Sequence, residues 1–274
     1  MNVECIGVGV NFRREIETEI IKHLDKFDLL EIITDSLLLD NGIGEALRHI
    51  LHAKPVVLHG LRASLGAAEP IDRDYMQAIL AAVAQWKPLW FSDHVAFSRV
   101  GSLDVGQLMP VRRTQTSMQR IVDKVRLLRN ATHAPFLVEN ITYYFDYDFN
   151  ELAEELFINR ILQEADCGLL LDVNNLYINA CNHRFDPYEF IEKLDLSRLT
   201  EIHMAGGFSR EELLIDSHGH RISQPVWELL EFVCKRAKPR AIIIERDANF
   251  DLTDMLESVA RAREILNVGE LTSV

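Results

Sequence analysis

The sequence predicts an α/β protein built as a single (β/α)8 TIM barrel over residues 1–274. Short runs rich in Val, Ile and Leu recur along the whole chain, and each is followed by a longer segment with apolar residues at three- and four-residue spacing. This pattern is typical of a strand followed by an amphipathic helix. The eight runs are continuously apolar, as a parallel sheet covered on both faces requires, and eight such units close a barrel. An open doubly wound sheet remains the alternative.

The strands are predicted at Glu4–Val10, Asp28–Ile33, Pro55–His59, Leu89–Asp93, Pro135–Glu139, Gly168–Asp172, Leu199–Met204 and Ala241–Glu245. Helices are predicted between them, for example at Arg13–Phe27, Asp72–Gln85, Thr114–Leu128, Glu151–Glu164, Pro225–Arg236 and Leu252–Ile265. No Gly/Ser/Pro-rich linker, low-complexity tract or long block of like charges interrupts the series, so the sequence predicts one domain.

The composition limits the classes of function. A net charge of −13 repels phosphate backbones, which argues against a nucleic-acid-binding protein. The first residues, Met-Asn-Val-Glu, lack the basic start and apolar run of a secretory signal, and no apolar stretch approaches the roughly 18 residues of a membrane span. We therefore expect a cytoplasmic protein without a membrane segment. The four cysteines form no Cys-x-x-Cys pair, and we expect them to be reduced and mostly buried.

Residues that can bind metals end six successive predicted strands. They are His59, Asp93 with His94, Glu139, Asp172 with Asn174 and Asn175, His203, and Glu245. Asp216, His218 and His220 lie between the last two strands, in a segment that we expect to be flexible and to fold over the barrel mouth. Because a barrel builds its active site at the carboxyl ends of its strands, these side chains are expected to meet in one place.

One such residue alone is more often a helix cap or a packing residue than a ligand. Six strand ends that carry His or a carboxylate would repel one another and lose hydration if no cation neutralised them, so the pattern indicates bound divalent metals. All the donors are nitrogen or oxygen, which suits iron, manganese or zinc. The set His59, His94 and Glu139 has the two-His-one-carboxylate composition of non-haem Fe(II) sites, and zinc stays open.

The ordered motifs resemble those of the multinuclear non-haem iron-dependent oxidative enzymes, the family that includes the methanobactin-type peptide oxidases. The motifs are Leu58-His59-Gly60, Ser92-Asp93-His94, Val138-Glu139-Asn140, Leu171-Asp172-Val173-Asn174-Asn175, Glu201-Ile202-His203-Met204-Ala205-Gly206 and Asp216-Ser217-His218. The resemblance runs from about Gly7 to Asp247. It implies a xylose-isomerase-like barrel, of the type shared with endonuclease IV.

The resemblance also implies a ligand set for two or three irons. His59, His94 and Glu139 would hold one ion, and these three are the expected catalytic residues. Glu139 would bridge to a second ion. The remaining ligands are Asp172, His203 and Glu245 for the second ion, and Asn175, Asp216 and His218 for the third.

Residues around these ligands have expected supporting roles. Asp93 would orient a histidine ligand, Asn140 would fix the neighbouring carboxylates, and His220 would bond to or replace a ligand. Arg62, Tyr143 and Arg246 would contact substrate at the mouth.

The chain departs from the usual motifs of the family at three places near the mouth. The departing segments are Asp35-Ser36 after strand two, Arg246 after strand eight, and Asn11-Phe12-Arg13 after strand one. They leave the ligands intact and bear on which substrate is bound.

By the same resemblance, the function is oxidation of cysteine residues in a ribosomally made precursor peptide, with O2 as co-substrate and a small partner protein that presents the peptide. The chemistry expected is a four-electron or related oxidation through a mixed Fe(II)/Fe(III) pair. Three alternatives stay open: a zinc-dependent phosphodiester hydrolase, a sugar isomerase, and a metal-storage or scaffold protein. The first conflicts with the acidic charge, and the second usually needs a lysine that no strand end here supplies.

Two further groups of side chains have less specific roles. The aromatic residues after strand five are expected either to line a peptide groove or to cover the barrel top; they are Tyr143, Tyr144, Phe145 and Tyr147. Five histidines away from the strand ends are expected to have solvent or packing roles; they are His23, His49, His52, His133 and His183.

Overall fold

Eight parallel strands close into a barrel in the computed structural model, which describes residues 5–38, 44–101, 103–132 and 134–271. The strands of the chain are β1 (Gly7–Asn11), β2 (Leu30–Ile33), β3 (Val56–His59), β4 (Phe91–His94), β5 (Ala96–Val100), β6 (Leu103–Pro110), β7 (Phe136–Glu139), β8 (Gly168–Asp172), β9 (Leu199–Met204), β10 (Gly207–Arg210), β11 (Leu213–Asp216) and β12 (Ala241–Ile244). The order around the barrel is β1-β2-β3-β4-β7-β8-β9-β12, and parallel pairing of β12 with β1 closes it. The predicted fold class is therefore confirmed.

Helices connect the strands and form the outer layer. They are α1 (Glu17–Lys22), α2 (Thr34–Leu38), α3 (Glu45–Ala53), α4 (Arg73–Trp86), α5 (Gln115–Thr132), α6 (Glu154–Ala165), α7 (Val173–His183), α8 (Pro187–Lys193), α9 (Gln224–Cys234) and α10 (Leu252–Leu271). The helix predicted at Arg13–Phe27 is broken instead: two 3-10 turns, Arg14–Ile16 and Leu24–Lys26, flank the short α1. His23 lies directly after α1, where its backbone N–H and its Nδ1 both lie within hydrogen-bond distance of the Glu19 carbonyl oxygen, at 3.2 and 3.0 Å.

Two antiparallel hairpins interrupt the strand–helix alternation, and the sequence did not predict them. Strands β5 and β6 follow β4, and strands β10 and β11 follow β9. The segment that was expected to be flexible begins with Asp216, the last residue of β11, and Asp216 is paired with Gly207. Both hairpins lie at the end of the barrel where the candidate ligands gather, since each directly follows a barrel strand.

The apolar core has two parts, separated by the barrel wall. The larger part joins the outward-facing strand residues to the helices. The smaller part fills the barrel interior. Its residues lie within the barrel strands or directly before them, and its buried members are Leu29, Val57, Trp90, Leu137, Leu170, Ala241 and Ile243. Strand residues alternate between the two parts, for example Val138 outward and Leu137 inward, as the pleat of a strand requires.

Other expectations have mixed outcomes. Cys167 and Cys234 are buried, whereas Cys5 and Cys181 are exposed, so the expectation of mostly buried cysteines is half correct. Among the described residues, every helix is too short or too polar to span a bilayer. His133 lies outside the described residues.

A buried lysine supports the loop that follows β3. Lys124, on α5, is 8% exposed, and its ammonium donates hydrogen bonds to the carbonyl oxygens of Ser64 (2.9 Å) and Ala67 (2.8 Å). Burial lowers the pKa of Lys124 to about 8. The Ser64 hydroxyl in turn accepts the backbone N–H groups of Ser98 and Arg99, so Lys124 also anchors the first hairpin through this loop.

Replacing this lysine by an apolar residue of similar length is expected to destabilise the fold. In Lys124→Met the Ala67 carbonyl oxygen loses a donor in a buried place, which costs about 2 kcal/mol of unfolding free energy. Denaturant unfolding measures the difference. The matched control is Lys22→Met, whose exposed ammonium pairs only with Glu19 on the surface and is worth less than about 0.5 kcal/mol. Equal losses in the two variants would contradict the role of Lys124.

Candidate metal centre

Six of the nine candidate ligands lie at the last inward-facing position of a barrel strand or, for Glu245, directly after the strand. The residues directly before them in sequence, such as Leu58, Val138 and Leu171, belong to the outward-facing core, so the ligands themselves point into the barrel. All six are buried: His59, His94, Glu139, Asp172, His203 and Glu245. Strand alternation and barrel closure therefore bring together side chains that are far apart in sequence.

The first group is formed by two histidines and one carboxylate oxygen. Glu139 Oε2 lies 3.2 Å from His59 Nε2 and 3.0 Å from His94 Nε2. The other ring nitrogen of His59 lies 2.7 Å from the Ser92 hydroxyl, and that of His94 lies 3.8 Å from Asp93. Both histidines therefore present Nε2 to the same point in the barrel.

The second group uses the other oxygen of the same glutamate. Glu139 Oε1 lies 3.3 Å from His203 Nδ1, and that nitrogen is also 3.3 Å from Glu245 Oε2. Ligand atoms of Glu139, Asp172 and His203 all lie within 4.8 Å of one another. Glu139 thus faces two donor groups with its two oxygens, which is the arrangement of a bridging carboxylate.

The third group lies nearest to the mouth. His218 Nε2 is 2.9 Å from Asp216 Oδ1, and His218 Nδ1 is 3.4 Å from Glu245 Oε2. Asp172, His218 and Glu245 also offer ligand atoms within 4.8 Å of one another. Asn175 stands beside this group with its amide engaged, because its oxygen accepts the Thr142 hydroxyl at 2.5 Å.

Several polar atoms of these residues are buried without a hydrogen-bond partner, and they fit metal ions. They are Glu139 Oε2, Asp172 Oδ2, His203 Nδ1 and both ring nitrogens of His218. Buried polar atoms are almost always satisfied in folded proteins, since leaving one unpaired costs about 1–3 kcal/mol. Most of these orphaned atoms converge on the same interior space, and all are nitrogen or oxygen donors, so the residues present suit several divalent cations.

The electrostatics of the cluster also favour a cation. Burial alone would lower the pKa of His94, but the Glu139 and Asp93 carboxylates raise it to about 10. Burial and the Glu139 charge together hold the pKa of Asp172 well above its ordinary value. Without a cation, the fold neutralises its crowded acids with protons, and a metal ion would replace those protons.

Two of the expected supporting residues lie beside ligands, and a third contacts a serine instead. Asn140 brackets Asp172, since its amide group donates to the Asp172 carbonyl and accepts the Asp172 N–H, both at 2.9 Å. Asp93 accepts the backbone N–H of Ala63 at 3.0 Å and so ties the loop after β3 to the site. The exposed His220 lies 3.0 Å from the Ser217 hydroxyl.

The residues expected to contact substrate have different positions. Arg62 is at the rim, with its guanidinium 3.4 Å from Asp104 of the first hairpin. Tyr143 is buried and donates to Glu154 at 2.7 Å, and Arg246 is buried against Asp254 of α10. Tyr143 and Arg246 are thus engaged by acidic side chains, and their role as peptide contacts stays a prediction.

Three acidic residues of the site were missed by the sequence analysis. Glu31 lies 2.9 Å from His203 Nε2, and Glu201 accepts the Trp90 indole N–H at 2.8 Å. Asp247 lies 3.5 Å from His218 Nδ1. Glu31 and Glu201 sit inside strands rather than at strand ends, and the only signal was an acid within an otherwise apolar run.

An open cleft of about 660 Å³ leads from the surface to the ligands. Its walls include both hairpins, which contribute Gly106, Gln107 and Leu108 on one side and Ile215 and Asp216 on the other. Arg13, Thr142 and Tyr144 also line it, together with His59, His94, Glu139 and Glu245. The cleft is large enough for a few residues of an extended chain.

Solved structures with the same fold include enzymes of two reaction classes. Endonuclease IV from Thermus thermophilus aligns with a TM-score of 0.61 over 97% of this chain and all of its own chain, with 15% identity. D-Psicose 3-epimerase from Clostridium cellulolyticum aligns with a TM-score of 0.58 over 97% of this chain and 98% of its own, with 13% identity. At these identities the likeness concerns the fold alone.

Sequence relatives are closer. A UPF0276 protein of Acaryochloris marina is 32% identical over 258 residues, which cover 93% of this chain and 92% of the relative. A UPF0276 protein of Caulobacter vibrioides is 35% identical over 243 residues, 86% of each chain. The family model of the enzymes that modify precursors of ribosomally synthesised and post-translationally modified peptides (RiPPs) matches residues 7–267. The chain therefore belongs to the RiPP precursor modification enzyme family MbnB/TglH/ChrH.

Proposed function

We propose that this protein is a multinuclear non-haem iron-dependent oxidase that uses O2 to modify cysteine residues of a ribosomally made precursor peptide. One observation carries the proposal: Glu139 directs one oxygen at His59 and His94 and the other at His203. Such a carboxylate can hold two metal ions close together, and two ions can accept between them the electrons that one oxidation removes from the substrate. The family membership supplies the substrate class, a precursor peptide.

The ligands support iron as the metal. His59, His94 and Glu139 leave room for further ligands on the cleft side, as the two-His-one-carboxylate sites of non-haem iron enzymes do. Iron bound there would supply binding of a thiolate and redox chemistry with O2, which no protein side chain provides. Removal of four electrons and four protons from the peptide balances the reduction of one O2 to two water molecules.

The protein itself holds and orients the peptide. Gln107 and Thr142 offer hydrogen bonds from opposite parts of the cleft wall, and Tyr144 exposes its ring there. Arg13 is held at the rim by Asp247, whose Oδ1 accepts its Nε–H at 2.9 Å. These groups suit a peptide with exposed amides, and they leave the inner end of the cleft to the thiol of a cysteine.

The rival functions have less support. A phosphodiester hydrolase of the endonuclease IV type would need a basic surface for its anionic substrate, and the chain has a net charge of −13. A sugar isomerase usually places a lysine near its substrate, and no lysine lines this cleft among the described residues. A metal-storage role leaves the cleft unexplained. A small partner protein that presents the peptide completes the proposal.

The decisive test is turnover of a defined peptide. The anaerobically iron-loaded protein is mixed with the cysteine-containing peptide and partner protein encoded beside its gene, and O2 uptake and peptide mass are followed. We expect O2 consumption together with a mass change that is lost when cysteine is replaced by serine in the peptide. The zinc-loaded protein is the matched control and should be inactive. No O2 uptake and an unchanged peptide mass would refute the proposal.

Removing a central ligand is expected to abolish metal binding and activity together. His203→Ala or Glu139→Ala should lower iron content by at least about one ion per chain and reduce turnover by about 100-fold or more. His183→Ala is the control, because His183 lies on α7 and contacts the Tyr143 carbonyl at 3.0 Å. Elemental analysis and peptide turnover measure both properties. Equal iron in all three variants would show that the ligands are assigned wrongly.

Metal loading is expected to release protons near neutral pH. His94 has a raised pKa of about 10 in the metal-free fold, so its imidazole is protonated at pH 7, whereas a histidine ligand must be neutral. Iron affinity should therefore rise with pH from 6 to 9 and fall on acidification, with at least about one proton released per chain. An indicator dye in weakly buffered anaerobic solution measures the release. Loading without any proton release would contradict His94 as a ligand.

A further inference from the structure

Two carboxylates lie inside the barrel below the ligands, where barrels of this type usually place branched apolar side chains. Glu31 of β2 and Glu201 of β9 are both completely buried. Their Oε1 atoms have no hydrogen-bond partner. Burying an ionisable group in an apolar interior costs several kcal/mol unless it is compensated, so the packing of the fold alone does not account for this pair.

Glu31 forms a hydrogen bond with a candidate ligand. Its Oε2 lies 2.9 Å from His203 Nε2. A carboxylate accepts hydrogen bonds, so Nε2 carries a proton and Nδ1 is the nitrogen left to bind a cation. Nδ1 is also the nitrogen that faces Glu139 and Glu245, each at 3.3 Å. The contact therefore fixes the orientation of His203 and makes Nδ1 its metal-binding atom.

The other two interior histidines have weaker partners. His59 contacts a neutral hydroxyl, that of Ser92, and the Nδ1 of His94 stands 3.8 Å from Asp93, beyond hydrogen-bond distance. They also face Glu139 through Nε2, whereas His203 uses Nδ1. The surroundings of the central position thus differ from those of the first: only His203 has a carboxylate within hydrogen-bond distance of the ring nitrogen that faces away from Glu139.

The second carboxylate of the barrel interior has a different partner. The Trp90 indole N–H donates to Glu201 Oε2 at 2.8 Å. Trp90 belongs to the apolar cluster that fills the lower part of the barrel. Glu201 is therefore tied to the floor, whereas the hydrogen bond of Glu31 goes to the ring of His203.

We propose that Glu31 is a positioning residue that fixes His203 as an Nδ1 ligand and makes the position between Glu139, His203 and Glu245 the one that favours the more highly charged ion. The inference rests on the metal centre of the proposed function. A carboxylate that accepts the N–H of a ligating histidine increases the basicity of the ring and the affinity of the site. An electron-rich ligand also stabilises Fe(III) relative to Fe(II), so the two ions bridged by Glu139 are made unequal.

The experiment compares two variants, Glu31→Gln and Glu31→Asp. In Glu31→Asp the side chain is one methylene shorter, so the carboxylate is moved away from His203 while its charge stays in the barrel. The matched control is Glu154→Gln, because Glu154 is also a shielded carboxylate, bonded to Tyr143 outside the barrel. Chelator competition measures the affinity of the tightest-bound iron, and potentiometric titration measures its midpoint potential. The thermal unfolding of the metal-free proteins is followed in parallel.

Both Glu31 variants are expected to weaken iron binding by roughly 10- to 100-fold, the cost of losing such a contact. The midpoint potential should shift to more positive values, while Glu154→Gln changes neither property. Metal-free Glu31→Gln should be about as stable as the wild type, because the amide has the same size as the carboxyl group and its oxygen can accept the same N–H.

Three results would overturn the inference. The first is unchanged affinity and potential in an iron-binding protein. The second is a loss of metal-free stability that accounts for all the lost iron, which is the mark of a purely structural residue. The third is one fewer oxygen ligand in the X-ray absorption spectrum of Glu31→Gln, which would make Glu31 a ligand itself. A wild type that binds no iron would instead refute the proposed function, and titration with Zn²⁺ then tests Glu31 on its own.

Discussion

Mutual repulsion among buried acids is the constraint around which this barrel is organised. Each strand sends alternate side chains inward, so the last inward positions of the strands meet at one end. In most of the described strands that position holds an imidazole or a carboxylate. The rest of the barrel can be tightly packed and apolar because these groups neutralise one another through protons or through cations. Outer helices, hairpins and loops then adapt to that arrangement.

The interior is layered from bottom to top. Apolar side chains around Trp90 form the floor, Glu31 and Glu201 form a middle layer, and the ligands form the top. Polarity increases towards the mouth, which is where substrate enters. The two hairpins raise the walls at that end and turn a shallow barrel mouth into a cleft. The candidate ligands therefore lie deep enough to be shielded from bulk solvent, and an extended chain can still reach them through the cleft.

Sequence patterns predicted the barrel strands well, because a buried parallel strand leaves a continuous apolar run. The same patterns predicted that His59, His94, Glu139, Asp172, His203 and Glu245 would meet, and the structure brings them together. Arg246 shows why neighbours are harder to predict. It follows the inward Glu245 by one residue, so alternation turns it outward to Asp254. Glu31 was missed because the alternation was not followed back along β2. Ile33 lines the cleft, and Glu31 lies two residues before it, so its side chain points into the barrel as well.

Features that depend on long-range pairing were beyond the sequence. The hairpin strands β5, β6, β10 and β11 are short and partly polar, and their pairing is decided by loops that pack on them, such as the loop held by Lys124. The helix predicted at Arg13–Phe27 is broken by two 3-10 turns, and His23 lies at the second break, where its ring contacts the Glu19 carbonyl. Neither feature leaves a periodic signal in the sequence.

The sealed floor has a consequence for how the protein matures. Since Trp90 and its apolar neighbours close the barrel from below, ions reach the ligands from the cleft side. The position at His203 is wholly enclosed, while the His218 side chain near the entrance is still 15% exposed. If the proposed function holds, an ion at His203 would therefore have to enter before one at His218, and both would have to enter before a peptide occupied the entrance. A chain that met its peptide too early would be blocked in an incompletely loaded form.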